Sequence, residues 1–325
     1  MLSLYQIRAF LEVARCGSVQ EAADALVVSQ PAVSAALASL QRAAGVKLTE
    51  RDGRKIRLTP AGRAFEDYGR RIFALLDEAQ RRAHELAETS DERIAIAAVT
   101  TAAEHLVPQL LEPFRRQWPA IGVELDVGNH VHVWDRLKHW EVDLVIAGRP
   151  PEDQPLRTLA TRAHEMIVIA PASDPFAGAP LGSATWLVRE PGSGTRAVTE
   201  ECFAFLGIDP PRLSIASNGA IGACVRAGLG YSLVSRDAVE GELRGGAVVQ
   251  IATPFTPLDR KWHLVAARDR DLPPAVERFV AFALEHGGFA DADGPASGGS
   301  SPGPAPSRRK KKSHLGGPSK DSFLG

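Results

Sequence analysis

Hydrophobic residues between positions 18 and 45 recur at the spacing of two short helices joined by a tight turn. Ser18 with Glu21 three residues later is a capping arrangement that starts the first helix. Ser29 caps the second helix, and Gly45 ends it. Small and polar side chains at the exposed start of the second helix suit close approach to base edges in a DNA major groove, although an ordinary helical hairpin packed in a core is the alternative. The candidate DNA-reading residues are Ser29, Gln30, Pro31, Ala32, Ser34 and Ala35.

Residues 47–59 form two strand-like runs around Asp52 and Gly53, a dipeptide preferred in two-residue hairpin turns. This pattern predicts a wing beside the second helix. Residues 42–71 contain nine Lys or Arg against four Asp or Glu, whereas the whole chain of 325 residues has a formal net charge of −1. A local excess of positive charge next to a reading helix favours phosphate contact over a merely solvated charged face. The wing residues expected to meet phosphates are Arg51, Arg54, Lys55 and Arg57.

Residues 61–88 form a third pattern, a 28-residue helical stretch with a hydrophobic stripe that repeats every seven residues. The stripe consists of Phe65, Ile72, Ala79 and Leu86, interleaved with Tyr68 and Leu75. Such a stripe with charged flanks predicts a coiled-coil seam between two copies of the chain, and the alternative is one helix packed on its own domain. A homodimer would present two reading heads to a twofold-related DNA site.

The first 90 residues resemble the N-terminal domain of the LysR-type transcriptional regulators. The resemblance lies in the segments QIRAFLEVARCGSVQEAADAL, SQPAVSAALASLQ and LTPAGRAF, read in order along the chain. This sequence departs from the family at Thr49, where members typically have Phe, and at Ala35, where they have a basic or longer polar residue. The departures leave the DNA sequence preference open.

From about residue 93 the pattern changes to strands that alternate with helices, which predicts an α/β domain with a parallel sheet. The predicted strands are 94–99, 123–127, 143–148, 166–170, 187–190, 213–217, 231–235 and 263–267. The predicted helices are 102–117, 134–140, 195–206, 220–227 and 274–286. The resemblance implies two subdomains, with chain crossings near 160–165 and 265–270 and a cleft like that of periplasmic binding proteins.

The predicted organisation is therefore that of an α+β multidomain protein. The expected parts are a winged helix-turn-helix domain (1–59), a dimerisation helix (60–90), an effector-binding domain (91–288) and a disordered basic tail (289–325). Subdomain I comprises 91–161 and 267–288, and subdomain II comprises 162–266. The tail is rich in Gly, Pro and Ser and carries the run RRKKK, which adds weak affinity for phosphates or serves only as a solubilising extension.

Polar groups stand where several predicted strands meet the following helix, and such junctions line the cleft of this type of fold. The strongest is PGSGTR, whose glycines let the backbone approach a ligand and whose Arg196 offers a planar cation. It lacks the Lys-Ser/Thr pair of a P-loop, and its alternative interpretation is a capped turn. Arg149 at another junction could equally form a surface salt bridge at the rim. The candidate effector-binding residues are Thr100, Thr101, Asn129, His130, Arg149, Ser193, Thr195, Arg196 and Asn218.

Composition argues against other classes of protein. The three cysteines, at 16, 202 and 224, have no paired spacing, and His130 with His132 has no third ligand in view, so neither a disulfide framework nor a metal site is expected. No candidate nucleophile has a base that the sequence can place beside it, so the chain is not expected to be an enzyme and needs no cofactor. No leader and no apolar run of membrane-spanning length is present, and we expect a cytoplasmic protein.

The segments TTAAEHLVPQLLEPFRRQWP, DLVIAGRPP, REPGSGTR and SNGAIGACVRAGLGYSLVSR resemble the LysR subgroup that controls RuBisCO and Calvin-cycle operons. The resemblance implies a tetrameric activator that works with RNA polymerase and responds to phosphorylated sugars or acids, or to NADPH. His130 stands where the subgroup usually has Arg, and Gly219 and Gly222 stand where it has charged residues. Three alternatives stay open: a regulator of another pathway with a different carboxylate effector, a repressor that senses nothing, and a solute-binding protein on the same two-lobed fold.

Overall fold

In the computed structural model, the described residues are 2–53, 55–86, 92–173 and 180–292, without the side chains of 81, 82 and 84–86. The helices are α1 (Leu4–Cys16), α2 (Val19–Leu26), α3 (Gln30–Ala44), α4 (Pro60–Leu86), α5 (Thr100–His105), α6 (Val107–Gln117), α7 (His130–Lys138), α8 (Gly194–Leu206), α9 (Asn218–Arg226), α10 (Glu240–Arg244) and α11 (Pro274–His286). The strands are β1 (Thr49–Asp52), β2 (Lys55–Leu58), β3 (Arg93–Val99), β4 (Gly122–Gly128), β5 (Leu144–Ala147), β6 (Leu156–Pro171), β7 (Trp186–Val188), β8 (Arg212–Ser214), β9 (Ser232–Ser235), β10 (Val248–Ile251), β11 (Leu258–Ala267) and β12 (Ala290–Asp291). The predicted basic tail lies outside the described residues.

The reading head consists of α1, α2 and α3 around one hydrophobic core, with the hairpin β1–β2 beside them. The predicted helix-turn-helix is confirmed: the Ser29 hydroxyl accepts from the Ala32 amide at 3.4 Å, and α3 ends at Gly45 with φ +71°. The wing is also present, but its register differs from the expected one. Asp52 pairs with Lys55, so Gly53, with φ +60°, rather than Asp52 begins the turn. Glycine adopts this left-handed conformation at low cost, which moves the turn by one residue.

Helix α4 spans 27 residues, but only part of the predicted stripe faces solvent. Phe65 turns inward and packs edge-on against Phe10 of α1, with ring centroids 5.4 Å apart. The seam interpretation is therefore wrong for Phe65, because α1 crosses α4 at this turn. Further along the same stripe, Tyr68, Ile72 and Leu75 are exposed.

Residues 92–292 form two α/β lobes on one mixed sheet of order β10-β6-β11-β5-β3-β4. Strands β3, β4 and β5 run parallel as expected, but β6 and β11 are antiparallel to their neighbours, which corrects the prediction of a parallel sheet. The first half of β6 was not predicted, since LRTLATRAHE has no continuous apolar run. Both strands pass from lobe I to lobe II.

The points where the chain crosses between the lobes can be located from the hydrophobic core to which each strand residue belongs. On β6, Ala160 belongs to the core of lobe I and Met166 to that of lobe II, which matches the expected crossing at 160–165. On β11, Trp262 already lies in the core of lobe I, whereas Leu258 packs against lobe II. The second crossing therefore comes before Trp262 and not at 265–270, because the apolar run 263–267 pairs with β5 or packs inside lobe I.

Three helices predicted in the effector domain have different bounds, and one of them, α9, begins at Asn218 rather than at residue 220. The stretch 102–117 is divided at Leu106 into α5 and α6, with a proline in the first turn of α6. Helix α7 begins at His130, not at 134, because Asn129 caps it by accepting from the His132 amide at 3.0 Å. Helix α8 and helix α11 agree with their predicted ranges to within one residue.

No single helix among the described residues is long and apolar enough to cross a membrane, and α2 and α3 pass that test only when joined across a bend of 109°.

Candidate functional site

The expected DNA-reading surface is solvent-exposed on the reading head. Ser29, Gln30, Pro31, Ser34 and Ala35 are exposed, and the neighbouring Ala32 is half-buried. On the wing, Arg51 and Lys55 are exposed, whereas Arg57 forms an ion pair with Asp52 at 2.9 Å. Arg54 lies outside the described residues. The start of α3 and the wing therefore present one accessible face, on which Arg51 and Lys55 have no ion-pair partner among the described residues.

A cavity of about 540 Å³ lies between the two lobes, where the strand ends of lobe I face the start of α8. It brings together eight of the nine candidate effector residues, namely Thr100, Thr101, Asn129, His130, Arg149, Ser193, Thr195 and Arg196. A pocket of this size, built from the ends of parallel strands and helix starts, is typical of small-molecule sites.

The start of α8 forms one wall of this cavity. Ser193 is buried at the N-cap position, but its side chain does not cap the helix, so the first-turn amides have no side-chain partner. These amides and the helix dipole favour an anion at this point. Gly192 precedes them with φ +86°, and a Cβ there would lie 3.2 Å from Nδ2 of Asn129 on the opposite lobe. A side chain at this position would crowd the entrance between the lobes.

The two predicted arginines are already engaged. Arg196 donates from Nη1 to the carbonyl of Arg189 at 2.9 Å, and its Nη2 lies 3.5 Å from Glu200. Arg149 is 76% exposed and pairs with Glu152, which is the rim salt bridge that the sequence left open. Since both residues line the cavity, the remaining guanidinium donors of each are available for a ligand contact.

Asn218 differs from the other candidates because it does not line the cavity. It is buried behind the wall, where Nδ2 donates to Oγ1 of Thr101 at 2.8 Å and Oδ1 accepts from Arg189. Arg189, only 3% exposed, also donates from Nε to Glu190 at 2.8 Å. Arg189 was not among the predicted site residues, although it opens the REPGSGTR segment. Together these side chains tie α9 of lobe II to α5 of lobe I.

The hinge strands contribute a floor that sequence reasoning missed. His164 of β6 stacks on Trp262 of β11 with ring centroids 4.1 Å apart. The Oγ of Ser235 lies 3.5 Å from Nδ1 of His164. Burial, together with the nearby charge of Arg260, lowers the pKa of His164 to about 4, so its ring is neutral near pH 7. Among the described residues, Arg260 has no acidic partner. Since residues 156–165 were not predicted as a strand, nothing in the sequence pattern linked these side chains.

The charged residues that line the cavity have one sign. Four arginines line it (Arg149, Arg189, Arg196 and Arg260), and none of its described lining residues is Asp or Glu. Guanidinium groups bind carboxylate and phosphate in bidentate geometry. No group of three or more His, Cys, Asp or Glu able to hold a metal occurs among the described residues. The arrangement is suited to binding an anion.

Comparison with known families places both halves of the chain. Residues 4–63 match the bacterial regulatory helix-turn-helix protein of the lysR family, and residues 87–288 match the LysR substrate binding domain. The chain belongs to the LysR family of transcriptional regulators. This LysR protein is accordingly a DNA-binding transcriptional regulator with an effector-binding domain, and the family is not enzymatic.

Individual relatives share most of their length with this LysR regulator. It is 36% identical over 290 residues to the RuBisCO operon transcriptional regulator of Allochromatium vinosum, which covers 87% of this chain and 96% of that protein. It is 32% identical over 291 residues to the transcriptional activator CmpR of Synechocystis, which covers 87% and 95%. The regulatory domain of Synechocystis CcmR, solved in complex with 2-PG, is similar with a TM-score of 0.56 and 28% identity, covering 60% of this chain and 96% of that one.

Proposed function

We propose that this regulator controls carbon-fixation genes and that its effector is a small anionic metabolite bound in the cavity between the lobes. The observation that carries the proposal is the set of four arginines, without a lining carboxylate, around a space of about 540 Å³. The regulators of carbon-fixation operons among its relatives, and the CcmR domain bound to 2-PG, support the same class of effector.

The proposed ligand lies against the start of α8, where the uncapped amides and the Ser193 and Thr195 hydroxyls meet its anionic group. Arg260, with no acidic partner among the described residues, supplies charge from the floor. The proposed effector-contacting set is Thr100, Thr101, Asn129, His130, Arg149, Ser193, Thr195, Arg196 and Arg260. Asn218 acts behind this set by positioning Thr101 and Arg189.

On DNA, the exposed start of α3 reads base edges and the wing contacts phosphates. The proposed contact residues are Ser29, Gln30, Pro31, Ala32, Ser34, Ala35, Arg51, Arg54, Lys55 and Arg57. Two chains pair through the exposed side of α4 and two dimers form a tetramer, which acts with RNA polymerase at a promoter in the cytoplasm. The exposed apolar side chains of α4 support this pairing, because they have no cover within the described part of the chain.

The first experiment is a footprint of the full-length protein on the intergenic region next to its own gene. It is repeated with 2-PG, phosphoenolpyruvate, phosphorylated sugars, NADPH and unphosphorylated dicarboxylates. A twofold-related protected site whose pattern changes with a phosphorylated compound supports the proposal. A change with an unphosphorylated carboxylate alone removes the carbon-fixation role and retains the sensor. Protection that ignores every compound contradicts the effector claim.

A variant series then tests the cavity. Arg260→Gln and Arg196→Ala are expected to keep operator affinity and to weaken binding of the active compound by about 10-fold or more, since each removes a charge-assisted contact. The matched control is Arg244→Gln, an arginine that pairs with Glu240 away from the cavity. If all three variants bind the compound as tightly as wild type does, the cavity is excluded as the effector site.

A further inference from the structure

Helix α7 connects two functional parts of the molecule. Its cap Asn129 and its first residues, His130 and Val131, line the effector cavity. Its last turn lies against α4, the helix that carries the reading head. A helix of nine residues is about 13 Å long, so one rigid segment spans from the ligand space to the linker.

A group of polar contacts, which we name the latch, joins the end of α7 to α4. The carboxylate of Asp67 lies 2.7 Å from Nζ of Lys138 and 2.8 Å from Nε2 of His139. His139 is only 2% exposed, and its Nδ1 lies 2.7 Å from the backbone oxygen of Asp135. Arg70 of α4 donates to Asp135 at 2.8 Å and to Glu141 at 2.6 Å. The latch therefore holds α7 by its side chains and by the loop that follows.

Arg71 adds a contact with the α7 backbone. Its Nε donates to the carbonyl of Lys138 at 3.2 Å, and its guanidinium lies 5.3 Å from the centre of the Trp140 ring. The last carbonyls of a helix lack intrahelical donors and carry the negative end of its dipole. A cation from α4 therefore serves as a C-terminal cap for α7, so that a shift of α7 along its axis changes this contact directly.

The cavity end of α7 is equally sensitive to position. The side chain of Asn129 faces Gly192 of the other lobe closely enough that a Cβ there would lie 3.2 Å from its Nδ2. The Nε2 of His130 accepts from the indole of Trp134 at 2.9 Å. A ligand that fills the space beside Asn129 and His130 acts on the first turn of α7 and leaves its middle, where Val133 and Leu137 are buried, packed as one unit. Displacement of one end is then transmitted to the other.

The surroundings of the latch allow it to rearrange. A second cavity of about 410 Å³ lies beside it, between α1 and α4 on one side and lobe I on the other. Most of its lining residues are charged, including Glu12, Asp77, Arg93 and Arg136. Polar interfaces with internal space resemble those between domains that move relative to one another, whereas close-packed apolar interfaces do not.

We propose that α7 couples the two functions of the protein: a ligand at its first turn repositions it, and the latch with Asp67, Arg70 and Arg71 passes the displacement to the linker helix and the reading head. The ligand-dependent half of this inference rests on the proposed effector cavity. The other half does not depend on any ligand: it states that loss of a latch contact destabilises the whole of α7 and not only its last turn.

The ligand-dependent test compares Asp67→Asn with wild type in the full-length protein. The measured quantity is the ratio of operator affinities with and without saturating 2-PG. In wild type this ratio measures the effect of 2-PG on operator affinity. In Asp67→Asn that effect is expected to be smaller by a factor of about 3 to 30, while binding of 2-PG persists. The matched control Asp209→Asn removes the same charge from an exposed pair with Arg212 and should keep the wild-type ratio. An unchanged ratio in Asp67→Asn overturns the proposal.

The second test needs no ligand and separates failure of the coupling from failure of the effector claim. Amide hydrogen exchange is followed in α7 for wild type, Asp67→Asn and the milder Lys138→Gln. Coupling predicts faster exchange throughout the helix, including the amide of Val133, which donates to Asn129 near the cavity. Faster exchange confined to residues 137–141, or none, overturns the proposal. If wild type ignores 2-PG, the effector proposal fails for that compound and this measurement alone decides the coupling.

Discussion

The side chain of Asn218 joins the two lobes at a buried position. Its amide nitrogen donates to Thr101 of lobe I, and its oxygen accepts from Arg189 of lobe II. Both partners are themselves buried, so each loses a buried hydrogen bond when the amide is removed. A buried polar group without a partner costs more free energy than the hydrogen bond itself contributes.

Asn218→Ala is accordingly expected to lower the free energy of unfolding by about 1 to 3 kcal/mol. Asn218→Asp retains an acceptor for Arg189 but no longer donates to Thr101, and its effect should be smaller. Urea unfolding followed by circular dichroism measures both. A change below about 0.5 kcal/mol in the alanine variant would contradict the bridging role of this residue.

The second prediction at the residue scale concerns pH. Burial lowers the pKa of His164 to about 4, while an unfolded histidine titrates near 6.5. Between these values the unfolded chain binds the proton and the folded chain does not. The uncharged ring of His164 therefore does not reduce the free energy of unfolding above about pH 6.5. As the pH falls from 6.5 towards 4, the free energy of unfolding decreases by about 3 kcal/mol at most. His164→Gln should flatten this part of the stability curve, as measured by urea unfolding at several pH values, and an unchanged curve would exclude His164 as its source.

Among the elements, the wing shows how local pairing modifies a charge pattern. The basic residues of the wing were predicted as phosphate contacts from their density and from their position beside the reading helix. The structure distinguishes among them, because Arg57 is paired with Asp52 inside the hairpin and Arg51 is not. A cation that already has an acidic partner loses part of its attraction to a phosphate.

Arg51→Gln is expected to weaken operator and non-operator DNA binding alike, and to reduce the slope of log affinity against log salt concentration by about 1. Arg57→Gln should reduce the slope by less, since it also frees the negative charge of Asp52. Binding titrations at several salt concentrations supply both slopes. Equal slopes for Arg51→Gln and wild type would indicate that Arg51 does not contact phosphate.

At the scale of the molecule, the described residues form a reading head, the helix α4 and two lobes. Four large apolar side chains are exposed among those that the structure describes on α4, namely Tyr68, Ile72, Leu75 and Leu76. Their spacing places them on one side of the helix, beside the face that packs on α1. A contiguous apolar stripe in water is unfavourable for a single chain and is covered when two helices pair.

Leu75→Glu is therefore expected to dissociate the oligomer by at least one step and to weaken operator binding about 10-fold or more, because two linked heads bind more tightly than one. Analytical ultracentrifugation measures the mass. Leu213→Glu makes the same substitution at a comparably exposed leucine of β8 and should leave the mass unchanged. If Leu75→Glu keeps the wild-type mass, the stripe is not the contact between chains.

The sequence by itself determined the elements whose signals are local: the capped helices α2 and α3, the wing, α8 and α11, and the family to which the chain belongs. The tertiary structure decided what depends on pairing between distant residues. Arg260 reaches the cavity because it pairs with His164, ninety-six positions earlier, in the antiparallel register of β11 and β6. Phe65 does not lie in the predicted seam, because α1 crosses α4 there and Phe65 packs against Phe10. Asn218 lies behind the cavity wall, because its amide donates a hydrogen bond to Thr101. Periodicity and caps act within a few residues of the chain, whereas strand register, helix crossing and buried hydrogen bonds join residues that only the folded molecule brings together.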